Sequence, residues 1–407
     1  MRHLLIAIVA LCFCGAGFAE DWPQWRGPTG QGQFHGDKPP IKWDAKTGEN
    51  VLWRAPLPKG DTPYSSPVVR GERVFVTVAI NKGREHHVLC FNAADGKPLW
   101  DTIVPPGPWN LTDVRGGYGA PTPVADDDHV YVLFGSAVLA AIDVDGKITW
   151  RADLPRHAFD VAIGCSPILY GNTILLQADM IQKQSSLIAF DKKTGEIAWE
   201  VKRPDVGFAH STPTIVTVAA KPLMLVAASD ALQGVAPATG ELQWSCKAKG
   251  DTVSPVFADG IAYVDSGRGG PGFAVAVAPN LKGDVTKSAL KWSVRQIPEG
   301  FGSPVIVGGR LYRLHSPGVL KCYRMADGSE IYSQRLEGIT VPASPVAAAD
   351  GTIYFASAGR SYVIKAGDQY EQLAVNNLDD SNYASPAVAN GRMYLKGVRF
   401  LYCVGMK

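Results

Sequence analysis

The stretch Ser186-Leu-Ile-Ala-Phe-Asp-Lys-Lys-Thr-Gly-Glu-Ile-Ala-Trp199 contains two short runs of strand-forming residues joined by a tight turn. Similar glycine turns occur at Asp95-Gly96, Asp145-Gly146, Thr239-Gly240 and Asp327-Gly328. The aromatic residue at the repeated position is Trp100, Trp150, Trp199, Trp244, Trp292 or Tyr332. We expect this broad side chain to pack between neighbouring repeat units.

A second element precedes each unit, namely a small hydroxyl residue followed by proline. It occurs eight times, at Ser66-Pro67, Thr122-Pro123, Ser166-Pro167, Thr212-Pro213, Ser254-Pro255, Ser303-Pro304, Ser344-Pro345 and Ser385-Pro386. Successive prolines are separated by 56, 44, 46, 42, 49, 41 and 41 residues. Four short strands with their turns fill this length, which is the size of one propeller blade. The sequence therefore predicts an all-β, eight-bladed propeller of four-stranded antiparallel blades.

The last repeat contains only three strand-like runs, because the sequence ends shortly after Phe400-Leu-Tyr-Cys-Val404. Lys46-Thr-Gly-Glu-Asn-Val-Leu-Trp53 matches the turn and outer run of the other repeats, but it lies near the beginning of the chain. We predict that this amino-terminal strand completes the carboxy-terminal blade, which pairs two open sheet edges and closes the ring.

Three segments follow from this organisation. Residues 1–19 have a short basic start, an apolar stretch and small residues near Ala19, as in a secretory signal peptide. Residues 20–48 form an amino-terminal extension packed on the propeller, and residues 49–407 form the single propeller. We expect an exported protein, periplasmic or extracellular, that is soluble after cleavage near Ala19 and contains no transmembrane segment.

These repeats resemble the pyrroloquinoline-quinone-like β-propeller repeat, and Asp21-Trp-Pro-Gln-Trp-Arg-Gly-Pro28 is similar to the openings of many exported members. The family includes quinone-dependent alcohol and sugar dehydrogenases, a propeller lipoprotein of outer-membrane protein assembly, and sensor domains. Its alcohol dehydrogenases typically carry adjacent cysteines over the cofactor and Glu, Asn and Asp ligands for calcium. Neither adjacent cysteines nor a Cys-x-x-Cys-His haem motif follows Ala19 in this sequence.

Candidate binding residues lie on one side of the predicted propeller. Loops that enter an innermost strand and loops that follow a second strand emerge on the same face, around the axis. The funnel candidates on that face are Arg115, Tyr118, Asp160, His210, Asp251, Arg268, His315 and Tyr383. Tyr64 and Phe301 precede innermost strands in the same way. Arginine, histidine, tyrosine and aspartate together can recognise an anion, a sugar or a peptide.

The sequence favours a noncatalytic binding or scaffold module for a protein, peptide or envelope polymer. We predict no catalytic residues, no metal site and no bound cofactor, and the formal net charge of +2 without a basic stripe argues against nucleic acid as a partner. A quinone-dependent oxidoreductase is the first alternative; it requires the quinone and calcium, with Asp160, Asp179, Asp230 and Asp251 as candidate carboxylates. A carbohydrate-binding or carbohydrate-active propeller is the second alternative.

Overall fold

The computed structural model describes residues 21–60, 64–109, 117–154, 163–180, 184–341, 343–357, 359–381 and 383–407. The residues of the expected signal peptide, 1–19, lie outside this range. Two strands precede the first blade, β1 (Gln33–Phe34) and β2 (Val51–Pro56). Eight antiparallel blades follow around a common axis, which confirms the predicted propeller.

Blades 1 to 4 each have four strands, with the innermost strand first and the outermost strand last. Blade 1 contains β3 (Val68–Arg70), β4 (Arg73–Ile80), β5 (Glu85–Asn92) and β6 (Pro98–Val104). Blade 2 contains β7 (Val124–Ala125), β8 (His129–Phe134), β9 (Val138–Asp143) and β10 (Ile148–Asp153). Blade 3 contains β11 (Ile168–Tyr170), β12 (Thr173–Ala178), β13 (Ser186–Asp191) and β14 (Ile197–Lys202). Blade 4 contains β15 (Thr214–Val218), β16 (Lys221–Ala227), β17 (Leu232–Val235) and β18 (Leu242–Cys246).

Blade 5 carries an insertion between its third and outermost strands. It contains β19 (Val256–Ala258), β20 (Ile261–Asp265), β21 (Arg268–Ala276), then β22 (Gly283–Asp284) and the helical turn α1 (Thr286–Ala289), and finally β23 (Leu290–Glu299). Strand β22 pairs in parallel with β18 of blade 4.

Blades 6 to 8 return to the regular pattern. Blade 6 contains β24 (Val305–Val307), β25 (Arg310–His315), β26 (Val319–Arg324) and β27 (Glu330–Arg335). Blade 7 contains β28 (Val346–Ala348), β29 (Thr352–Ser357), β30 (Arg360–Lys365) and β31 (Glu371–Asn377). Blade 8 contains β32 (Ala387–Ala389), β33 (Arg392–Lys396) and β34 (Phe400–Val404).

Strand β2 is the fourth strand of blade 8, which confirms the predicted closure. It runs antiparallel to β34, with Trp53 opposite Cys403 and Arg54 opposite Tyr402. The Trp53 indole nitrogen donates to the Ala93 carbonyl of blade 1 at 3.2 Å. Strand β2 thus pairs with the last strand of the chain and also contacts blade 1.

The repeated tryptophan packs between blades, as predicted. A Cβ atom at Gly146 would lie 2.7 Å from the Trp100 ring, so only glycine admits the ring of the preceding blade at this turn. The left-handed conformation of Gly146, with φ of 89°, favours glycine for a second reason. Trp244 differs, because the blade 5 insertion covers it: it lies opposite Gly283 and is fully buried within blade 4.

The hydroxyl residues of the eight Ser/Thr-Pro pairs form a closed ring around the axis. Each backbone amide donates to the hydroxyl oxygen of the next blade, over distances between 2.8 and 3.1 Å. The final bond, from the Ser385 amide to Ser66 Oγ, links blade 8 to blade 1. Side-chain acceptors satisfy these buried amides where the strand ladder has not yet begun. The ring explains why each pair begins with serine or threonine.

The amino-terminal extension lies against the carboxyl-terminal ends of the innermost strands, on the side opposite the loops that enter those strands. Trp22 pairs with Val69 of blade 1, and the Ala125 amide of blade 2 donates to Pro23. Further along, Gln31 accepts from the Phe257 amide of blade 5, and β1 runs parallel to β28 of blade 7. Residues 22–34 therefore fill the axis from this side. A ligand that uses the axis approaches the loop face, defined as the face where loops enter the innermost strands.

Candidate functional site

The structure describes six of the eight predicted funnel residues and brings three of them together. Arg115 and Asp160 lie outside the described residues. Asp251, Arg268 and His210 form one group with Phe208, which we call the polar cluster. Tyr383 contacts Tyr64 elsewhere on the loop face, with ring centroids 6.2 Å apart in an edge-on arrangement.

In the polar cluster, Arg268 is held on two sides. Its Nε lies 3.3 Å from Asp251 Oδ2, and its guanidinium carbon lies 5.3 Å from the centre of the Phe208 ring. Half of the Arg268 side chain is exposed, whereas Asp251 is buried. An arginine restrained by a carboxylate and an aromatic face loses little side-chain entropy when it binds a ligand. The exposed part of Arg268 is suited to a carboxylate or a carbonyl oxygen of a partner.

Burial and charge also set the protonation states in this cluster. Burial, followed by the charge of Arg268, lowers the pKa of His210 to about 4, so its imidazole is neutral at neutral pH. Burial raises the pKa of Asp251, although Arg268 opposes that shift. Asp251 Oδ1 has no hydrogen-bond partner among the described residues. The cluster therefore offers one exposed cation to a ligand, whereas Asp251 Oδ1 lies buried beneath it.

A second group on the loop face is apolar, and we call it the apolar arc. Its members occupy the loops that enter blades 6, 7, 8 and 1, and they are Phe301, Val341, Tyr383 and Tyr64. Phe301 and Tyr64 are 46% and 42% exposed, so both large rings are open to solvent. Phe301, Tyr383 and Tyr64 each lie two residues before a serine of the hydroxyl ring. The ring thus places these side chains around the axis.

A buried ion pair connects the polar cluster to the apolar arc. Arg313 donates through Nε and Nη2 to the two oxygens of Asp265, at 2.9 and 3.0 Å. The same guanidinium also donates to the carbonyls of Gly300 and Gly302, on either side of Phe301. Asp265 in turn accepts from the Gly267 amide, next to Arg268. The ion pair between Arg313 and Asp265 therefore helps to position both Phe301 and Arg268.

His315 and Tyr118 do not belong to either group. His315 is buried, and its Nδ1 lies 3.0 Å from the Pro298 carbonyl oxygen. Burial, followed by the charge of Arg313, lowers the pKa of His315 to about 3. Tyr118 is also buried, and its ring lies 6.1 Å from that of His86. Both side chains contribute to packing beneath the loop face.

Three of the four carboxylates proposed for a calcium and quinone site are described, and they do not form a ligand set with one another. Asp179 is buried in an ion pair with Arg203, with Oδ1 and Nη1 2.5 Å apart, and Asp251 is paired with Arg268. Asp230 accepts from the Gly207 amide at 3.2 Å. Calcium needs six to eight oxygen ligands, and these carboxylates have separate partners. Within the described ranges, no three His, Cys, Asp or Glu side chains are grouped to hold a metal ion.

Four residues of these groups were not predicted from the sequence, namely Phe208, Val341, Asp265 and Arg313. Phe208 lies in the same loop as His210 and could have been found from its position. Val341 has no polar or aromatic signal. Asp265 and Arg313 lie in the strands of two different blades, and no sequence spacing relates them.

Eight blades with Ser/Thr-Pro and glycine–tryptophan elements define a propeller built from pyrroloquinoline-quinone-like repeats. Residues 84–278 match a family model described as outer membrane protein assembly factor BamB. The matched residues, just under half of the chain, are thus similar to the pyrroloquinoline-quinone-like β-propeller repeat family.

A protein of Paracoccus denitrificans named as a dehydrogenase, XoxF, is 29% identical over 120 residues, which cover 27% of this chain and 19% of that protein. The match thus spans about a fifth of the length of this curated relative.

Solved structures resemble the chain in fold. BamB from Moraxella catarrhalis has a TM-score of 0.62 at 13% identity, covering 88% of this chain and 97% of that one. Quinohemoprotein alcohol dehydrogenase from Comamonas testosteroni has a TM-score of 0.69 at 13% identity, covering 95% and 81%. A computationally designed protein, Ika8, has a TM-score of 0.58 at 11% identity, covering 88% and 99%. A fold shared by these three proteins does not determine a function.

No helix in the described part of the chain combines the length and apolar character needed to cross a membrane.

Proposed function

We propose that this propeller is a noncatalytic binding module that holds a protein or peptide segment on its loop face, in the periplasm or outside the cell. The observation that carries the proposal is Arg268, half exposed and restrained by Asp251 and Phe208. Arginine and aromatic residues dominate the binding energy of protein interfaces. The apolar arc supplies exposed aromatic area on the same face.

The site suits a segment that presents an apolar side chain and an acidic or carbonyl oxygen. The apolar arc would take the side chain, and Arg268 would take the oxygen. The family model, described as an outer membrane protein assembly factor, supports a protein partner.

Photo-crosslinking in the producing cells tests the location of the partner. A photoreactive phenylalanine replaces Phe301 in one variant and Ile197 of the outer strand β14 in another; both native side chains are 46% exposed. We expect a discrete crosslinked protein from position 301 and none from position 197. Equal crosslinking from both positions, or none from either, contradicts the proposal.

The affinity of the propeller for the crosslinked partner then tests the contribution of Arg268 to binding. We expect Arg268→Ala to weaken binding at least tenfold, as for a hot-spot residue. Arg54→Ala is the matched control, because Arg54 is equally exposed, is paired with Asp379 at 2.8 Å and lies 5.0 Å from the Phe400 ring. Isothermal titration calorimetry measures both constants. Similar losses from the two substitutions would show that Arg268 has no special role.

A quinone-dependent oxidoreductase is a second candidate, favoured by the match to the Paracoccus protein. The ion pairs of Asp179 and Asp251 count against it, because neither carboxylate is free for calcium. The direct test adds pyrroloquinoline quinone and calcium, measures quinone binding by absorbance, and follows dye reduction with alcohols and sugars. Micromolar binding with turnover would replace the scaffold proposal.

A further inference from the structure

Arg26 is a buried arginine in the axis of the propeller. Its side chain is 1% exposed, and Nη2 donates to the Gln31 carbonyl at 2.9 Å and to the Pro304 carbonyl of blade 6. Its backbone is in the left-handed region, with φ of 62°. This conformation is costly for a long side chain and persists only where the surrounding structure imposes it.

The charge of Arg26 has no counter-ion in the part of the chain that the structure describes. Among the residues that the structure describes, no carboxylate forms an ion pair with it, and Asp265 is occupied by both Nε and Nη2 of Arg313. Burial, followed by repulsion from Arg313, lowers the pKa of Arg26 to about 9, which still leaves it charged at neutral pH. An uncompensated buried charge is among the most unfavourable arrangements in a folded protein.

The same short segment carries further unused donors. Arg26 Nε and Nη1, Gln31 Nε2 and Trp22 Nε1 are all buried and have no hydrogen-bond partner among the described residues. Guanidinium and indole nitrogens can only donate. Unused donors on a buried cation, with two more in the same segment, favour an acceptor that carries negative charge. Water would satisfy the hydrogen bonds but leave the charge unbalanced.

We propose that a small inorganic anion of the chloride class binds against the guanidinium of Arg26, inside the ring of innermost strands. The anion neutralises the buried charge and accepts from the unused nitrogens of residues 22–31. It joins the amino-terminal extension to blade 6, because Arg26 already contacts Pro304. This site is separate from the loop-face site, and neither depends on the other.

Anomalous diffraction from crystals of the full mature chain in bromide tests the site directly. We expect a bromide peak within about 3.5 Å of an Arg26 side-chain nitrogen, the distance of a long hydrogen bond. Water beside Arg26 without an anomalous peak overturns the proposal. This measurement uses the unmodified protein, so it holds even if variants fail to fold.

Thermal unfolding at constant ionic strength gives an independent readout, with chloride replacing methanesulfonate. Because a ligand stabilises the state that binds it, the melting temperature should rise by about 2 °C per tenfold increase in chloride above the dissociation constant. Arg26→Met should abolish this dependence, while the surface variant Arg54→Met should retain it. A chloride response that survives Arg26→Met contradicts the proposed site.

Discussion

Replacing Lys396 by methionine should change how the stability of this propeller depends on pH. Lys396 ends β33 and crosses the closing seam, where Nζ donates to Ser65 Oγ at 2.6 Å and to the Thr77 carbonyl at 2.8 Å in blade 1. The side chain is 2% exposed. Burial lowers its pKa from 10.5 to about 7. Methionine has a similar volume and no charge, so it removes the ionisable group without leaving a large cavity.

The size of the effect follows from the difference between the two pKa values. Between pH 7 and 10.5 the unfolded chain keeps the lysine proton while the folded chain releases it, so wild-type stability rises with pH in this window. Each pKa unit corresponds to about 1.4 kcal/mol, which gives a total of about 5 kcal/mol over the window. Below pH 7 the folded protein bears the full cost of a buried charge, and above 10.5 it bears none.

The hydrogen bonds of Lys396 reduce the gain from its removal. Ser65 Oγ still donates to the Thr77 carbonyl at 3.0 Å in the variant, so that acceptor keeps one partner. The lost bonds cost about 1–2 kcal/mol at every pH. We therefore expect Lys396→Met to be about 3 kcal/mol more stable than wild type at pH 6 and slightly less stable near pH 10.5.

Urea denaturation of both proteins at one-unit intervals from pH 6 to pH 10 measures this difference. Other titrating groups are common to the two chains and cancel when the free energies of unfolding are subtracted. Lys365→Met is the control for loss of a lysine, because the Lys365 side chain on β30 is 40% exposed. A difference for Lys396→Met that does not change with pH would refute the assigned burial of charge.

Three further changes should alter stability, each measured by chemical denaturation. Asp265→Asn leaves a buried guanidinium unpaired and should reduce the free energy of unfolding by about 3–5 kcal/mol at pH 7. Burial raises the pKa of Asp265, but its ion pair with Arg313 outweighs this and lowers the pKa, so the loss should shrink as the pH falls below 4. A loss that is independent of pH would contradict the ion pair. Ser303→Ala removes the acceptor of the Ser254 amide and should cost about 1–3 kcal/mol; a neutral effect would mean that the hydroxyl ring is unimportant. Trp53→Ala should destabilise the protein at least as much as the matched Trp100→Ala, because only the former loosens the closing blade; a smaller effect would weaken the closure argument.

Repeated local patterns predicted much of this architecture from the sequence. The Ser/Thr-Pro pairs gave the number of blades, and the displaced segment ending at Trp53 predicted the closure with β34. Alternation of loops between two faces also placed His210, Asp251 and Arg268 on one side, where they meet. Such features depend on residues close in the chain, so spacing and turn chemistry reveal them.

Other features depended on contacts between blades. The sequence contains no sign that Arg313 pairs with Asp265, that Trp244 is covered by the blade 5 insertion, or that Arg26 enters the axis. Each of these contacts joins residues from different elements, brought together only when the ring closes. Local pattern therefore determined the strands, their number and the face that carries the loops. The tertiary structure alone decided which charges are buried, which are paired and which side chains remain available to a ligand, because burial and pairing are properties of the assembled ring.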